Sequence, residues 1–168
     1  MKTNFKFPKI GMRMIKTAIA AFICAMLGYF RGQLPFYSMI AAILCLQPSL
    51  EKSTTIALNR TIGTFIGGAV GFVVLLLVNH AHIIVNVPSY YLLISICLIP
   101  LIYLTVLLEK TPSSYITCVV FLSITISHIS DELPILFVMH RIMDTLIGIG
   151  VSLLINRILP NHSNSEIK

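Results

Sequence analysis

Three ionisable residues, Arg60, Arg141 and Asp144, interrupt stretches of sequence that are otherwise apolar enough to enter lipid. A charge at the centre of a bilayer costs about 2.5–3.5 kcal/mol on insertion scales, so residues of this kind pair with one another or serve a function. A guanidinium is a planar fork of donors that fits a carboxylate, and a carboxyl group carries and releases a proton. Arg60 and Arg141 are therefore candidates for receiving an organic anion, and Asp144 for exchanging a proton. Asp144 lies three residues after Arg141, the spacing of an ion pair on one helix face. A structural pair near the outer interface, with Arg141 snorkelling towards water, is the competing reading.

Both arginines open the same motif. One segment reads Arg60-Thr61-Ile62-Gly63-Thr64-Phe65-Ile66-Gly67-Gly68-Ala69-Val70-Gly71, and the other Arg141-Ile142-Met143-Asp144-Thr145-Leu146-Ile147-Gly148-Ile149-Gly150-Val151-Ser152. An offset of 81 positions aligns Arg60 with Arg141, Thr64 with Thr145, Ile66 with Ile147, Gly67 with Gly148 and Val70 with Val151. At 3.6 residues per turn, Arg60, Thr64, Gly67 and Gly71 fall on one narrow stripe, as do Arg141, Thr145, Gly148 and Ser152. Small residues on a stripe let helix backbones approach in lipid, where the hydrophobic incentive for packing is gone. Gly63, Gly67, Gly71, Gly148 and Ser152 are thus candidate packing positions, and Thr64 and Thr145 join the arginines and Asp144 as candidate substrate or gating residues. A looser match sets Pro35-Phe36-Tyr37 against Pro112-Ser113-Ser114-Tyr115, about 77 positions on.

The elements that must hold these residues are legible from composition. Hydrophobic residues make up 57% of the 168, charged residues 11%, and the mean hydropathy is +0.92, whereas soluble domains carry about 25% charge. A helix needs roughly 20 residues to cross about 30 Å of hydrocarbon. Six apolar blocks approach that length, at about 12–30, 35–50, 60–78, 90–108, 113–129 and 137–159, with Gly, Pro, Ser and Asn between them. Barrel strands would alternate in polarity every second residue, and Phe65 to Val78 does not. Lys2, Lys6, Lys9, Arg13 and Lys16 lie before or at the start of the first block, but the apolar stretch running on to Phe30 is longer than a signal-peptide core of about 7–15 residues. The expectation is an all-α integral membrane bundle of six transmembrane helices forming one domain over residues 1–168. Residues 1–11 would be a basic arm, 12–159 the bundle and 160–168 a short tail. Three helices per half, the second half upside down relative to the first, would make an inverted 3+3 repeat of the transporter kind.

Charge placement orients such a bundle. With six spans both termini share one side, and all of the 12 Lys and Arg except Arg31 and Arg141 fall there. The positive-inside rule then puts both ends in the cytoplasm of a cell-membrane protein. The net charge of +6 reads as topology and attraction to anionic lipid, with no basic groove or stacking platform for nucleic acid. Cys24, Cys45, Cys97 and Cys118 lie inside apolar blocks without metal or redox spacing. His80 and His82, and His128 beside Asp131 and Glu132, are read as solvated loop residues, so no metal and no cofactor is expected. No catalytic motif is visible, and an enzyme is not expected.

Pro35, Ala41-Ala42, Gln47-Pro48-Ser49, Arg60, Gly63-Thr64 and Gly67, followed by Arg141, Asp144-Thr145, Gly148 and Asn156, resemble the aromatic acid exporter and fusaric-acid-resistance-like (FUSC-like) membrane domain of bacteria. The likeness covers roughly residues 10–160, and its most specific part is the Gln-Pro-Ser turn followed by Arg-x-x-Gly-Thr-x-x-Gly. The resemblance implies a six-helix membrane domain, often followed by a soluble cytoplasmic domain, that exports aromatic carboxylates. Only Asn161 to Lys168 follow Pro160 here, so a homo-oligomer or a partner membrane subunit is expected. Two function classes follow: an exporter unit for small organic anions in the lipid bilayer, proton-coupled through Asp144, and a non-transporting membrane scaffold or accessory subunit.

Overall fold

A computed structural model describes residues 11–81, 83–85, 87–127 and 134–159. Among the described residues there are six α-helices and no strands: α1 (Met12–Phe30), α2 (Phe36–Cys45), α3 (Leu50–His80), α4 (Pro88–Leu107), α5 (Ser114–Ser127) and α6 (Pro134–Ile158). A 3-10 turn over Thr111–Ser113 leads into α5. The Lys2, Lys6 and Lys9 arm, His82, Asn86, His128, Asp131, Glu132 and the tail from Pro160 lie outside the described residues.

Six helices form, but four of them, α1, α3, α4 and α6, are long and apolar enough to cross a membrane. The expected second span of 35–50 shrinks to the 10 residues of α2, a rise of about 15 Å at 1.5 Å per residue. The apolar run continues past Cys45, but the backbone does not: Leu46 turns extended at ψ 99, and Pro48 disfavours the helical conformation for Gln47 before it. Hydropathy registers the apolar side chains there and misses the break.

The opposite error occurs in α3, which starts at Leu50, ten residues before the expected boundary at Arg60. Ser49 caps it, accepting the Lys52 N–H on its side-chain oxygen at 3.3 Å and the Ser53 N–H on its carbonyl at 3.1 Å, which satisfies donors that every helix start leaves open. The polar run Glu51 to Arg60 lowers hydropathy without breaking a helix. Arg60 thus sits nearly three turns inside α3 instead of at its tip.

The chain divides into two compact units, one of residues up to 54 together with 148 onward, the other of residues 55–147. The first holds α1, α2, the opening turn of α3 and the second half of α6. Its core is Ala20, Cys24, Ala42, Leu46 and Ile155. Because Lys16, Ala20, Cys24 and Gly28 recur every four residues, one face of α1 is buried along its whole length while the rest remains apolar and open, as lipid-facing helices are.

The second unit holds the remainder of α3, α4, α5 and the first half of α6. One cluster joins Leu75, Ile116, Val120, Ile124 and Val138, and another joins Val78, Tyr90, Ile94, Leu101 and Phe121. Tyr90 is buried, and its hydroxyl donates to the Thr125 carbonyl at 2.7 Å, a tie between α4 and α5 that resolves the one polar atom on that ring.

Candidate functional site

The glycine stripe of α3 faces α5. A β-carbon on Gly63 would meet the Ser113 carbonyl and Ile116, one on Gly67 would overlap the Thr117 carbonyl, and one on Gly71 would touch Ile124. Gly68 turns instead towards Val138 and Ile142 of α6. In the other unit, a β-carbon on Gly148 would overlap the Ser38 carbonyl and Ala41 of α2, and Ser152 one turn on is fully buried with its hydroxyl donating to the Ile149 carbonyl at 2.8 Å. Gly63, Gly67 and Gly71 of α3 are therefore occupied in contacts to α5 and the turn before it, and Gly148 of α6 in contacts to α2.

The charged candidates occupy the 55–147 unit. Arg60, Arg141 and Asp144 keep only 6, 4 and 5% of their surface exposed, so neither guanidinium snorkels to water. Each of the three is engaged with other groups. Arg141 and Asp144 flank Ile142, which packs by Gly68, two turns along α3 from Arg60. Asp144 is the one buried carboxylate among the described residues, since Glu51 and Glu109 are exposed. Among the described residues of this unit, two buried guanidiniums stand against one buried carboxylate, and in a low-dielectric interior one more buried cation than anion favours an added anion.

The two threonines differ. Thr145 Oγ1 donates to the Arg141 carbonyl at 2.9 Å, one turn back on its own helix. Thr64 is equally buried, and its Oγ1 has no hydrogen-bond partner among the described residues. A buried hydroxyl without a partner costs about 1–3 kcal/mol, which makes Thr64 a position where a bound oxygen would be welcome.

A second polar constellation, in the other unit, was not singled out from sequence. Lys16 of α1 is fully buried and donates to Asn156 Oδ1 of α6 at 3.3 Å. The Asn156 amide donates to the Gln47 carbonyl at 3.0 Å and to Ser53 Oγ at 2.9 Å, and Ser53 Oγ also accepts the Gln47 N–H at 3.0 Å. Lys16 reads in sequence as one more charge in the basic run that opens the chain. The signal that distinguishes it is its place on the every-fourth-residue stripe with Ala20, Cys24 and Gly28, a packing face on which a lysine is out of place.

Among the described residues no group of three or more His, Cys, Asp or Glu is placed to hold a metal ion. Cys24 and Cys45 are buried and Cys97 and Cys118 partly so, all four as free thiols.

Comparison with known proteins places these features in context. The family described as fusaric acid resistance protein-like matches residues 19–155, which takes in α2 to α5 whole, most of α1 and nearly all of α6. A UPF0421 protein of Oceanobacillus iheyensis is 29% identical over 150 residues, which is 89% of this chain and 40% of that relative. The chain thus spans about two-fifths of the length of the relative it matches. No solved structure matches.

Proposed function

The chain belongs to the fusaric acid resistance protein-like family and is a multi-pass membrane protein, and on that premise we propose that it forms part of an exporter for small organic anions, aromatic carboxylates foremost. The observation that carries this reading is the burial of two guanidiniums with one carboxylate on apolar helices. Arg60 and Arg141 receive the substrate carboxylate, Thr64 donates to it, and Asp144 alternates between pairing with an arginine and carrying a proton. When Asp144 is protonated the arginines are released for the anion. When the anion leaves, Asp144 ionises again and restores the pairing, so that the anion and a proton are bound and released together.

The two halves are read as inverted copies of one helix triplet. In each the middle helix is short, 10 residues in α2 and 14 in α5, and a glycine of the third helix of the opposite copy rests on it. Such a repeat gives a bundle two exchangeable arrangements around a midplane site, which is what alternating access requires. The cell membrane with both termini cytoplasmic is the setting that the charge asymmetry favours, and self-association or a partner subunit completes the passage.

The test is flux in reconstituted vesicles. Benzoate and 4-hydroxybenzoate loaded inside are followed as they leave, wild type against Arg60→Ala and Arg141→Ala. The expected result is loss of flux in both variants with helicity and assembly unchanged. Flux that persists in both variants removes the arginines from the substrate site, and no flux in wild type together with altered assembly in the variants rejects the exporter reading in favour of a membrane scaffold.

A further inference from the structure

The Lys16 network has hydrogen-bonding capacity left over, and all of it is of one kind. The Gln47 carbonyl can only accept, which fixes the Asn156 amide: its Nδ2 points to Gln47 and Ser53, and its Oδ1 therefore to Lys16. Ser53 Oγ receives two donors, Gln47 N–H and Asn156 Nδ2, so its own proton is free to be given, and it has no acceptor among the described residues. Of the three ammonium protons on Lys16, one has an acceptor among the described residues, and that acceptor is a neutral amide at the long distance of 3.3 Å. The site holds one positive charge and spare donors, and no carboxylate pairs with it among the described residues.

Packing does not demand this arrangement. The residue 81 positions before Asn156 is Leu75, at the same register of the other third helix, and Leu75 is buried among Ile116, Val120, Ile124 and Val138. The fold closes there without a polar group. Burying an ammonium against a single amide costs more than an apolar substitute.

We propose that Lys16 and Ser53 form a binding site for a small carboxylate, in which the Asn156 side chain is a resident placeholder. A carboxamide and a carboxylate share a planar, two-headed shape of the same size. Asn156 already presents one head to Lys16 and the other to Ser53. An arriving carboxylate displaces it, accepts from the ammonium on one oxygen, and accepts the Ser53 proton on the other as that hydroxyl turns from acceptor to donor. Ser53 lies in the first turn of the 31-residue helix α3, whose positive dipole end adds to the attraction. Lys16 is fully covered, so swinging Asn156 aside is also the step that opens the site. This assignment stands apart from the arginine site, because it sits in the other unit.

Equilibrium dialysis of radiolabelled benzoate against the chain in phosphatidylcholine nanodiscs tests it. Wild type is expected to bind saturably. Lys16→Met, which removes the charge at similar volume, and Asn156→Asp, which fills the site with a tethered carboxylate, each weaken this component by about tenfold or more. Asn156→Ala keeps or strengthens it, and Ser53→Ala weakens it about fivefold. Arg60→Ala leaves this component in place and removes any other. Unchanged affinity in folded Lys16→Met or Asn156→Asp overturns the proposal, as does the absence of saturable binding in wild type. Should those two variants not fold, unchanged affinity in Ser53→Ala overturns it. Loss of benzoate binding on moving wild type to phosphatidylglycerol discs reassigns the occupant to a lipid phosphate and overturns the soluble carboxylate. If Arg60→Ala alters neither binding nor flux, the arginine site fails while this site stands.

Discussion

Gly67 and Gly148, 81 positions apart, stand against identical backbone surroundings: each faces a carbonyl oxygen, a β-carbon three residues on and the amide nitrogen after that, from Thr117, Val120 and Phe121 in one case and Ser38, Ala41 and Ala42 in the other. The facing residues are themselves related by a constant shift of 79 positions. The sequence match of Pro35 with Pro112 gives about 77 instead, because Pro112 sits in the 3-10 turn ahead of α5 and does not correspond to Pro35 at the start of α2.

Either glycine is expected to refuse a methyl group. Gly67→Ala and Gly148→Ala push a β-carbon into a backbone carbonyl, which cannot rotate away, and each is expected to cost about 1–3 kcal/mol. Gly150→Ala is the control: a β-carbon there meets nothing within 4 Å, and helix propensity favours alanine by up to about 1 kcal/mol. Unfolding in mixed detergent micelles reads all three, and equal stability of Gly148→Ala and Gly150→Ala would remove the close-contact argument.

Thr64→Val is expected to leave stability unchanged or raise it by about 1 kcal/mol, since the hydroxyl it deletes is buried without a partner. Anion flux should fall in the same variant through a raised KM. Thermal unfolding and flux measured side by side check the pair of outcomes, and a destabilised Thr64→Val would show that the hydroxyl is structural.

Asp144→Asn is expected to uncouple transport from the proton gradient. In vesicles holding a pH gradient, wild-type flux should rise with the gradient. Flux through the variant should be the same with and without it. A gradient response that survives the substitution would take the proton-carrying role away from Asp144.

Asn156→Leu alone strips Lys16 of its acceptor and is expected to destabilise by about 1.5–3 kcal/mol. Adding Lys16→Met should regain most of that, since the pair then resembles the apolar packing around Leu75. The coupling energy of the double-mutant cycle, from unfolding in micelles, measures the interaction directly. Additive effects would mean that Lys16 and Asn156 do not sense one another.

Tyr90→Phe removes the bond from the ring hydroxyl to the Thr125 carbonyl and is expected to cost about 1 kcal/mol without altering flux, since neither residue is among the candidate substrate residues. A flux defect in this variant would extend the functional region to the α4–α5 contact.

The sequence by itself determined that this is a helical membrane protein, because apolar content and block length set the solvent before any residue meets another. It also shows that Arg60 and Arg141, Thr64 and Thr145, and Gly67 and Gly148 keep one spacing of 81 positions. Tertiary structure decided the rest. The glycine stripes turn to α5 and α2, α2 stops after 10 residues, and Lys16 of α1 meets Asn156 across 140 positions of chain. Periodicity along one helix fixes which residues share a face, but which face is covered, and by what, depends on a register with helices distant in sequence. That register is settled by close contacts such as Gly148 on Ser38, to which hydropathy is blind.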